Sequence, residues 1–524
     1  MVSTVKAYLV GSGIGSLSAA AFMIRDGAMR GENILILESE HAFGGSLDAA
    51  GDSISGYSMR GGRMFTADNY ECTWNLFKTI PSLNDKRKSV YEETIAFNEE
   101  YESHALARLV DRDRAILPVI SMGFSMQDRE QLLKLVRADE TTLGKARITD
   151  WIGPTFFGTN FWYMWSTTFA FQPWHSAVEF RRYLHRFLLE FSRIDTLAGV
   201  KRTVYNQYDS LVRPLKAWLL EFGVGFWPDC CVTDLEHRYE QGRFIVSSIQ
   251  YLHGNEKKTL PVDVKDLVFV ENGSMTDASS VGSMTMPPPA LMKASGGAWT
   301  LWEKLAAGNP AEFGDPGVFN SCIAQSWWGS FTVTLQDAAF FDAITDFSGN
   351  DPGTGGLMTF KDSQWLLSIV LPHQPHFPNQ ASNTRVFWGY ALFGDRIGNF
   401  VAKSMAECNG ADILKELCGH LRFDLSVMKT ANCIPCRMPY ITSQFMPRMQ
   451  NDRPLPVPAV SGNLAFIGQF VEIADDCVFT VEYSVRSAQM SVYQLLRLSN
   501  EVPPVTSHDK SVRAQLDALL KAFK

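Results

Sequence analysis

The chain has 524 residues, 46% of them hydrophobic and 20% charged, with a net charge of −8. That composition excludes disorder as a general state, and the length predicts two or three domains around a sizeable interior. The acidic balance and the lack of a basic run interleaved with aromatics argue against nucleic-acid binding; nine scattered cysteines read as reduced thiols of a cytoplasmic protein.

An apolar strand, Ala7-Tyr8-Leu9-Val10, begins within a few residues of Met1, leaving no room for a signal peptide. It runs into Gly11-Ser12-Gly13-Ile14-Gly15-Ser16 and an alanine-rich helix. Gly11 permits a tight strand-to-helix turn, Gly13 lets backbone amides approach a pyrophosphate, and the helix N-terminus faces that anion. Ser16 stands where a third glycine is usual. A second apolar strand, 33–37, ends in Glu38, a carboxylate placed to accept hydrogen bonds from an adenosine ribose. Strand, glycine turn, helix, strand and glutamate in this order form a dinucleotide fingerprint.

Further along, no stretch of about 18 uninterrupted apolar residues occurs, even in the aromatic segment 156–174, so no transmembrane helix is expected. Helical periodicity is clearest over 177–191, where Phe180, Leu184, Phe187, Leu188 and Phe191 mark one face with Tyr183 beside it. A helix over 211–222 precedes a short strand, 231–235, that contains Val232. A strand at 266–270 leads to Glu271-Asn272-Gly273-Ser274, and another at 463–467 leads to Gly468-Gln469-Phe470. In two-domain flavoproteins a strand like 231–235 contacts adenine, and a late strand–glycine segment closes over the ribityl chain. With no second fingerprint for a nicotinamide, the combination favours FAD over NAD.

The expected fold is α/β: an FAD-binding two-domain flavoprotein, with a Rossmann-type βαβ unit, an inserted substrate domain and a C-terminal helical segment. Residues 1–130, 200–290 and 455–500 are assigned to a discontinuous FAD-binding domain, 131–199 and 291–454 to the substrate-binding domain, and 501–524 to a C-terminal amphipathic helix. In that helix Val512, Leu516, Leu519, Leu520 and Phe523 stand against Arg513, Lys521 and Lys524, a pattern that suits packing on the parent domain or resting on a membrane surface. Cys433-Ile434-Pro435-Cys436 has the spacing of a redox or metal pair, but no second pair lies nearby; packing is the expected role, and no metal is expected.

From Met59-Arg60-Gly61-Gly62-Arg63 and Tyr70-Glu71-Cys72-Thr73-Trp74 onwards, the chain resembles the oleate hydratases, FAD-binding fatty acid hydratases also called the myosin-cross-reactive antigen family. Trp174-His175-Ser176-Ala177, Tyr205-Asn206-Gln207-Tyr208-Asp209-Ser210, Met438-Pro439-Tyr440-Ile441-Thr442 and Glu482-Tyr483-Ser484-Val485-Arg486 carry the likeness over nearly the whole length. The resemblance implies a hydro-lyase that adds water to the cis-9 double bond of oleic acid and related unsaturated fatty acids. The product would be a 10-hydroxy fatty acid, with FAD required but without net redox. Together with the fingerprint, the expected cofactor-binding set is Gly11, Gly13, Gly15, Ser16, Glu38, Gly44, Gly45, Ser46, Arg60, Gly61, Gly62, Arg63, Val232, Asn272, Gly273, Ser274, Gly468 and Gln469.

The family's proton-donating tyrosine matches Tyr183. Most members follow Arg-Gly-Gly-Arg with a water-activating glutamate; this chain has Met64 there, and a thioether cannot act as a base. Asp68 could substitute if its loop turned inward; otherwise the flavin and backbone carbonyls would hold the water. The carboxylate-binding cluster is matched by Thr430 and Asn432, with Cys436 in place of a histidine. The aromatic segment 156–171 either lines the acyl tunnel or fills the core. Two other functions stay open: a redox-active flavoprotein, such as a fatty acid double-bond isomerase or an amine-oxidase-like oxidase, and an idle fatty-acid- or flavin-binding protein. A cytoplasmic monomer is expected, with peripheral contact at the inner membrane surface through its last helix as the sharper reading.

Overall fold

Five strands lie side by side and parallel, in the order Leu464–Ile467, Leu267–Glu271, Ala7–Val10, Ile34–Leu37 and Gly225–Trp227, in a computed structural model that describes residues 5–508 and 511–523. The central strands are short Val/Ile/Leu/Phe runs because both of their faces are covered, as parallel sheets require. Helix Ile14–Arg25 is alanine-rich where it lies against the sheet and helix Val481–Leu495; Ala19, Ala20 and Ala21 are fully buried. Gly11, Glu38, Glu271 and Gly468 therefore follow the carboxyl ends of four strands along one sheet edge, the edge where open α/β sheets bind ligands.

The second sheet has seven strands, in the order Ser280–Val281, Asn432–Met438, Trp328–Leu335, Arg385–Ala391, Leu367–Val370, Leu357–Phe360 and Leu109–Val110. One face shares a core with the parallel sheet and the helical region around 126–192; the other covers a separate core beneath helices Ala339–Ser348 and Gly410–Leu421. A three-stranded antiparallel meander, Cys230–Glu240, Arg243–His253 and Glu256–Pro261, flanks the parallel sheet.

Several boundaries differ from the expected ones. Leu109–Val110 and Ser280–Val281 pair into the seven-stranded sheet, although both fall in segments assigned to the nucleotide domain. Helix Gly297–Gly308 lies on Cys230–Glu240, and its Trp299 ring centre is 4.7 Å from that of Phe470, which puts it on the nucleotide side. Two-residue strands carry no periodicity, so only tertiary pairing reveals which sheet they join. The 177–191 helix is two helices, Ala177–Arg186 and Leu188–Ser192, parted at Phe187. Cys433 and Cys436 enter different cores from opposite faces of one strand, so they do not form a pair.

The C-terminal helix Val512–Phe523 packs on the parent domain. It buries Ala514 and Ala518, packs beside Leu188–Ser192, and is tied down by Lys521 to Asp195 (2.5 Å) and by Arg129 Nε to the Ala522 carbonyl (2.8 Å). Val512, Leu516, Leu519, Leu520 and Phe523 point outwards, each more than half exposed. Lys524 lies outside the described residues. Among the described residues no helix is long and apolar enough to cross a membrane.

Candidate active site

The glycine turn holds a carboxyl group. Gly13 N–H donates to Glu271 Oε2 at 2.6 Å and Gly15 N–H to Oε1 at 3.0 Å. Gly11 has φ +92°, and a Cβ on Gly13 would stand 2.5 Å from Glu271 Oε1. Burial pushes Glu271 up to about 7 despite those amide hydrogen bonds, and the nearby Glu38 adds to the rise. A carboxylate thus occupies the place the fingerprint reserves for a pyrophosphate. The donor set suits a dinucleotide once that side chain turns aside. Glu271 went unnoticed in the sequence because it reads only as a strand terminus.

Most of the expected cofactor residues gather along this edge. Glu38 accepts from Ser12 N–H (2.8 Å), Ser12 Oγ (2.6 Å) and Glu40 N–H (2.9 Å), and its carbonyl accepts from Cys230 N–H (2.7 Å), where the strand bearing Val232 begins. Gly44 bridges to Gly13, a Cβ on Gly45 would lie 3.1 Å from Gly13 Cα, and a Cβ on Gly468 would lie 3.6 Å from Glu271 Cγ. Ser16 is buried with an unpartnered hydroxyl, as is Asn272 with an unpartnered Oδ1. Gly273 admits the Phe470 ring, and the Ser274 carbonyl accepts from Trp299 Nε1. The Ser46 carbonyl accepts from Arg63 Nη2 (3.4 Å). Gln469 instead turns its amide to helix Val481–Leu495 through Ser484 (2.8 Å), and Arg60 is engaged by Asp48 (2.7 Å).

Beyond Arg60-Gly61-Gly62-Arg63 lies a narrow cavity of about 90 Å³ between the two sheets, adjoined by a second chamber of about 40 Å³. Gly62, Arg63, Met64, Leu357, Val370 and Trp388 wall both chambers, and the largely apolar lining is that of a small-molecule site. Tyr183 reaches the larger one from helix Ala177–Arg186. Its ring lies 5.1, 4.9 and 5.3 Å from those of Phe169, Phe171 and Phe187, and its hydroxyl donates to the Val478 carbonyl at 2.6 Å. Burial, reinforced by Cys477 and Tyr70, holds the phenol well above its ordinary pKa, so it stays protonated. The aromatic segment divides between the two roles: Phe169 lines the cavity, while Phe156, Phe161 and Trp165 fill the core.

Met64 stands in the wall shared by the chambers, and its carbonyl accepts from Tyr70 Oη (3.0 Å). Asp68 does not turn inward. Asn69 is the inward residue of that loop, donating to the Arg186 carbonyl at 2.6 Å, so the Asp68 carboxylate faces solvent 3.9 Å from Arg193 Nη2. Among the described residues the carboxylate that does line the cavity is Glu190, on the short helix Leu188–Ser192 that follows, with Oε1 2.6 Å from Arg193 Nη2. The break at Phe187 is what hides it from the helical pattern of the sequence.

Thr430, Asn432 and Cys436 do not line either chamber. Thr430 is exposed and donates to Asp337 (2.8 Å); Asn432 Nδ2 donates to the Ser55 carbonyl (2.8 Å) at the Ala49–Asp52/Gly56–Met59 hairpin; and burial pushes the Cys436 thiol up to about 11. Strand Asn432–Met438 directs Asn432 to that hairpin and Cys436 to the core, and Thr430 precedes it on the surface.

Behind Tyr183 is a buried ion-pair network. Arg182 meets Glu140 and Glu472 (both 2.7 Å), Arg186 meets Glu71 (2.7 Å) and Asp476 (3.2 Å), and Arg486 meets Glu71 (2.8 Å), Glu482 and Asp476 (both 2.9 Å). Arg448 and Arg453 close on Glu179 at 2.8 and 3.0 Å. Burial alone would raise Glu179, but Arg453 and Arg448 hold it down at about 2.

The chain is similar to known proteins in sequence and in fold. A model described as MCRA family matches residues 4–493. The chain is 37% identical to an oleate hydratase of Streptococcus pyogenes serotype M49 (strain NZ131), covering 99% of this chain and 89% of that one. It is 31% identical to a linoleate hydratase of Lactiplantibacillus plantarum, covering 99% and 98%. In fold it resembles a solved structure from Exiguobacterium sp. 255-15 assigned as a protoporphyrinogen oxidase, with a TM-score of 0.51 at 12% identity over 95% of this chain and 100% of that one.

Proposed function

The chain belongs to the MCRA family, and from that premise we propose that it is a hydratase of unsaturated fatty acids, with FAD in the glycine cradle. The observation that carries the reading is Tyr183: a protonated phenol on the wall of an apolar cavity walled also by the Arg60–Arg63 loop. FAD, when bound, supplies an electrostatic surface rather than electrons, since hydration leaves the redox state of the substrate unchanged.

An isolated alkene accepts water only after a proton reaches one of its carbons, which requires an acid, a placed water and exclusion of bulk solvent. The Tyr183 hydroxyl would leave the Val478 carbonyl and deliver its proton to the double bond, while water adds to the other carbon. Burial disfavours a lasting phenolate, so the proton released by water must return to the phenol. Met64 cannot take up that proton. Glu190 is the cavity-lining carboxylate fit for the task, with Arg193 fixing its orientation. Oleate and a 10-hydroxy product are the proposed substrate and product.

The test is anaerobic incubation of protein, FAD and oleate in heavy-oxygen water. A labelled hydroxy acid is expected; an oxidised product, or an unlabelled positional isomer, would sink the proposal in favour of a redox flavoprotein. Tyr183→Phe should slow labelled product formation by about 10²–10⁴-fold while flavin binding is retained. The outward row from Val512 to Phe523 supports peripheral membrane contact, which would bring a lipid substrate to the helix bearing Glu190.

A further inference from the structure

The peptide group that receives the Tyr183 hydroxyl is itself clamped. Tyr183 donates to the Val478 carbonyl at 2.6 Å, and the N–H of the same peptide unit, that of Phe479, donates to Gln469 Oε1 at 2.5 Å. In a trans peptide these two groups point in opposite directions, so a single orientation of the plane serves both bonds. The other end of the Gln469 amide is anchored as well: Nε2 donates to the Thr480 carbonyl and to Ser484 Oγ, both at 2.8 Å. Thr480 caps helix Val481–Leu495, its Oγ1 accepting from Tyr483 N–H (3.1 Å) and donating to the Cys477 carbonyl (2.8 Å). Gln469 follows Gly468 at the nucleotide edge, yet its side chain is spent on this loop.

The clamped peptide is not a relaxed one. Phe479 has φ +70°, a left-handed conformation that a phenylalanine adopts only where its surroundings hold it. A return of φ to the ordinary negative range would turn over the peptide plane that precedes Phe479, because that plane rotates about the bonds on either side of it. The Val478 carbonyl would then swing away from Tyr183. The Phe479 ring lines the same cavity as Tyr183, with the Arg63 guanidinium 5.5 Å from its centre.

We propose that Gln469 is a positioning residue for the proton donor: it holds the Val478–Phe479 peptide in its strained orientation, and that peptide sets where the Tyr183 hydroxyl stands in the cavity. This rests on the hydratase reading above. The bonds from Tyr183 through the peptide to Gln469 form one chain, and linked hydrogen bonds polarise one another. Gln469 thereby acts on the acid instead of making the contact to the cofactor expected of it.

The test is a double-mutant cycle between Gln469 and Tyr183 in the holoenzyme, followed by labelled-product formation, with 3-fluorotyrosine at position 183 as a second readout. Gln469→Leu should lower kcat by about 10–100-fold, the cost of a misplaced catalytic group, without changing KM for oleate or affinity for FAD. In a Tyr183→Phe background the same substitution should cost about threefold or less, because residues that act as a unit are not additive. Gln469→Glu keeps the accepting oxygen and should recover part of the rate. Ser484→Ala removes one anchor of the amide without touching the loop and should cause a smaller loss of kcat alone. The fluorine resonance should shift in Gln469→Leu and stay close to its wild-type position in Gln469→Glu. The proposal fails if FAD affinity falls in step with the rate, which would make Gln469 a cofactor ligand, or if the two losses simply add. Labelled product from wild type, with a resonance indifferent to Gln469→Leu, would sink the positioning role but not the hydratase. A resonance that follows Gln469, with no labelled product from wild type, would sink the hydratase but leave the coupling of Gln469 to Tyr183 in place.

Discussion

Two groups of arginines flank the same cavity and are treated in opposite ways. Behind Tyr183, Arg182, Arg186, Arg448, Arg453 and Arg486 interleave with Glu71, Glu140, Glu179, Glu472, Asp476 and Glu482. At the cavity wall Arg63 meets the Ser46 carbonyl and the face of Phe479, and among the described residues Arg202 Nε and Nη2 have no hydrogen-bond partner. Burial lowers Arg63 and Arg202 to about 10, whereas neighbouring carboxylates hold Arg182 and Arg186 above their ordinary value. The first group joins helix Ala177–Arg186, the start of helix Glu71–Phe77 and helix Val481–Leu495 into a backing for Tyr183. The second keeps its charge available to whatever enters the cavity.

Removing a charge from each group separates the two roles. Arg186→Met leaves Glu71 and Asp476 with Arg486 alone in the interior and should cost about 3–5 kcal/mol in denaturant unfolding; a loss under about 1 kcal/mol would erase the distinction. Acid should attack the same network. Glu71 and Glu179 sit at about 2 in the folded protein against an ordinary value of 4.5. Their contribution is therefore fully present above about 4.5 and is lost as pH falls towards about 2. Thermal unfolding should weaken steadily below that upper value, and a flat profile from about pH 6 to pH 3 would contradict the assignment.

Arg202→Met, by contrast, should change stability by less than about 1 kcal/mol or raise it, because it removes a partly buried charge that, among the described residues, no carboxylate neutralises. A loss as large as that of Arg186→Met would make Arg202 a structural residue. The smallest effect on folding belongs to the outer row of the last helix. Leu516→Glu with Leu520→Glu should alter stability by no more than about 0.5 kcal/mol per site, yet should reduce flotation with anionic phospholipid vesicles. Unchanged flotation would remove the membrane contact.

Local patterns in the chain already contain the nucleotide edge. Gly11 to Glu38 reads correctly because strand, turn and helix are set by neighbours a few residues apart, and the apolar strands before Glu271 and Gly468 are recognisable for the same reason. Tyr183 could be placed on an apolar helical face, and the MCRA likeness follows from motifs spread along the whole length. What remained illegible is long-range. Asp68 faces out because Asn69 faces in. Thr430 and Asn432 are spent on a loop and a hairpin far away in sequence.

The amino-acid sequence by itself therefore determines the parallel nucleotide sheet, the glycine cradle and the family, since periodicity and short motifs encode local geometry and burial. Only the tertiary structure decides which charges are neutralised. Glu271 enters the cradle across 258 residues from Gly13, Glu190 faces the cavity beside Arg193, and among the described residues no carboxylate pairs with Arg202. Charge compensation depends on which distant segments meet in a low-dielectric interior, and no local pattern in the chain records that meeting.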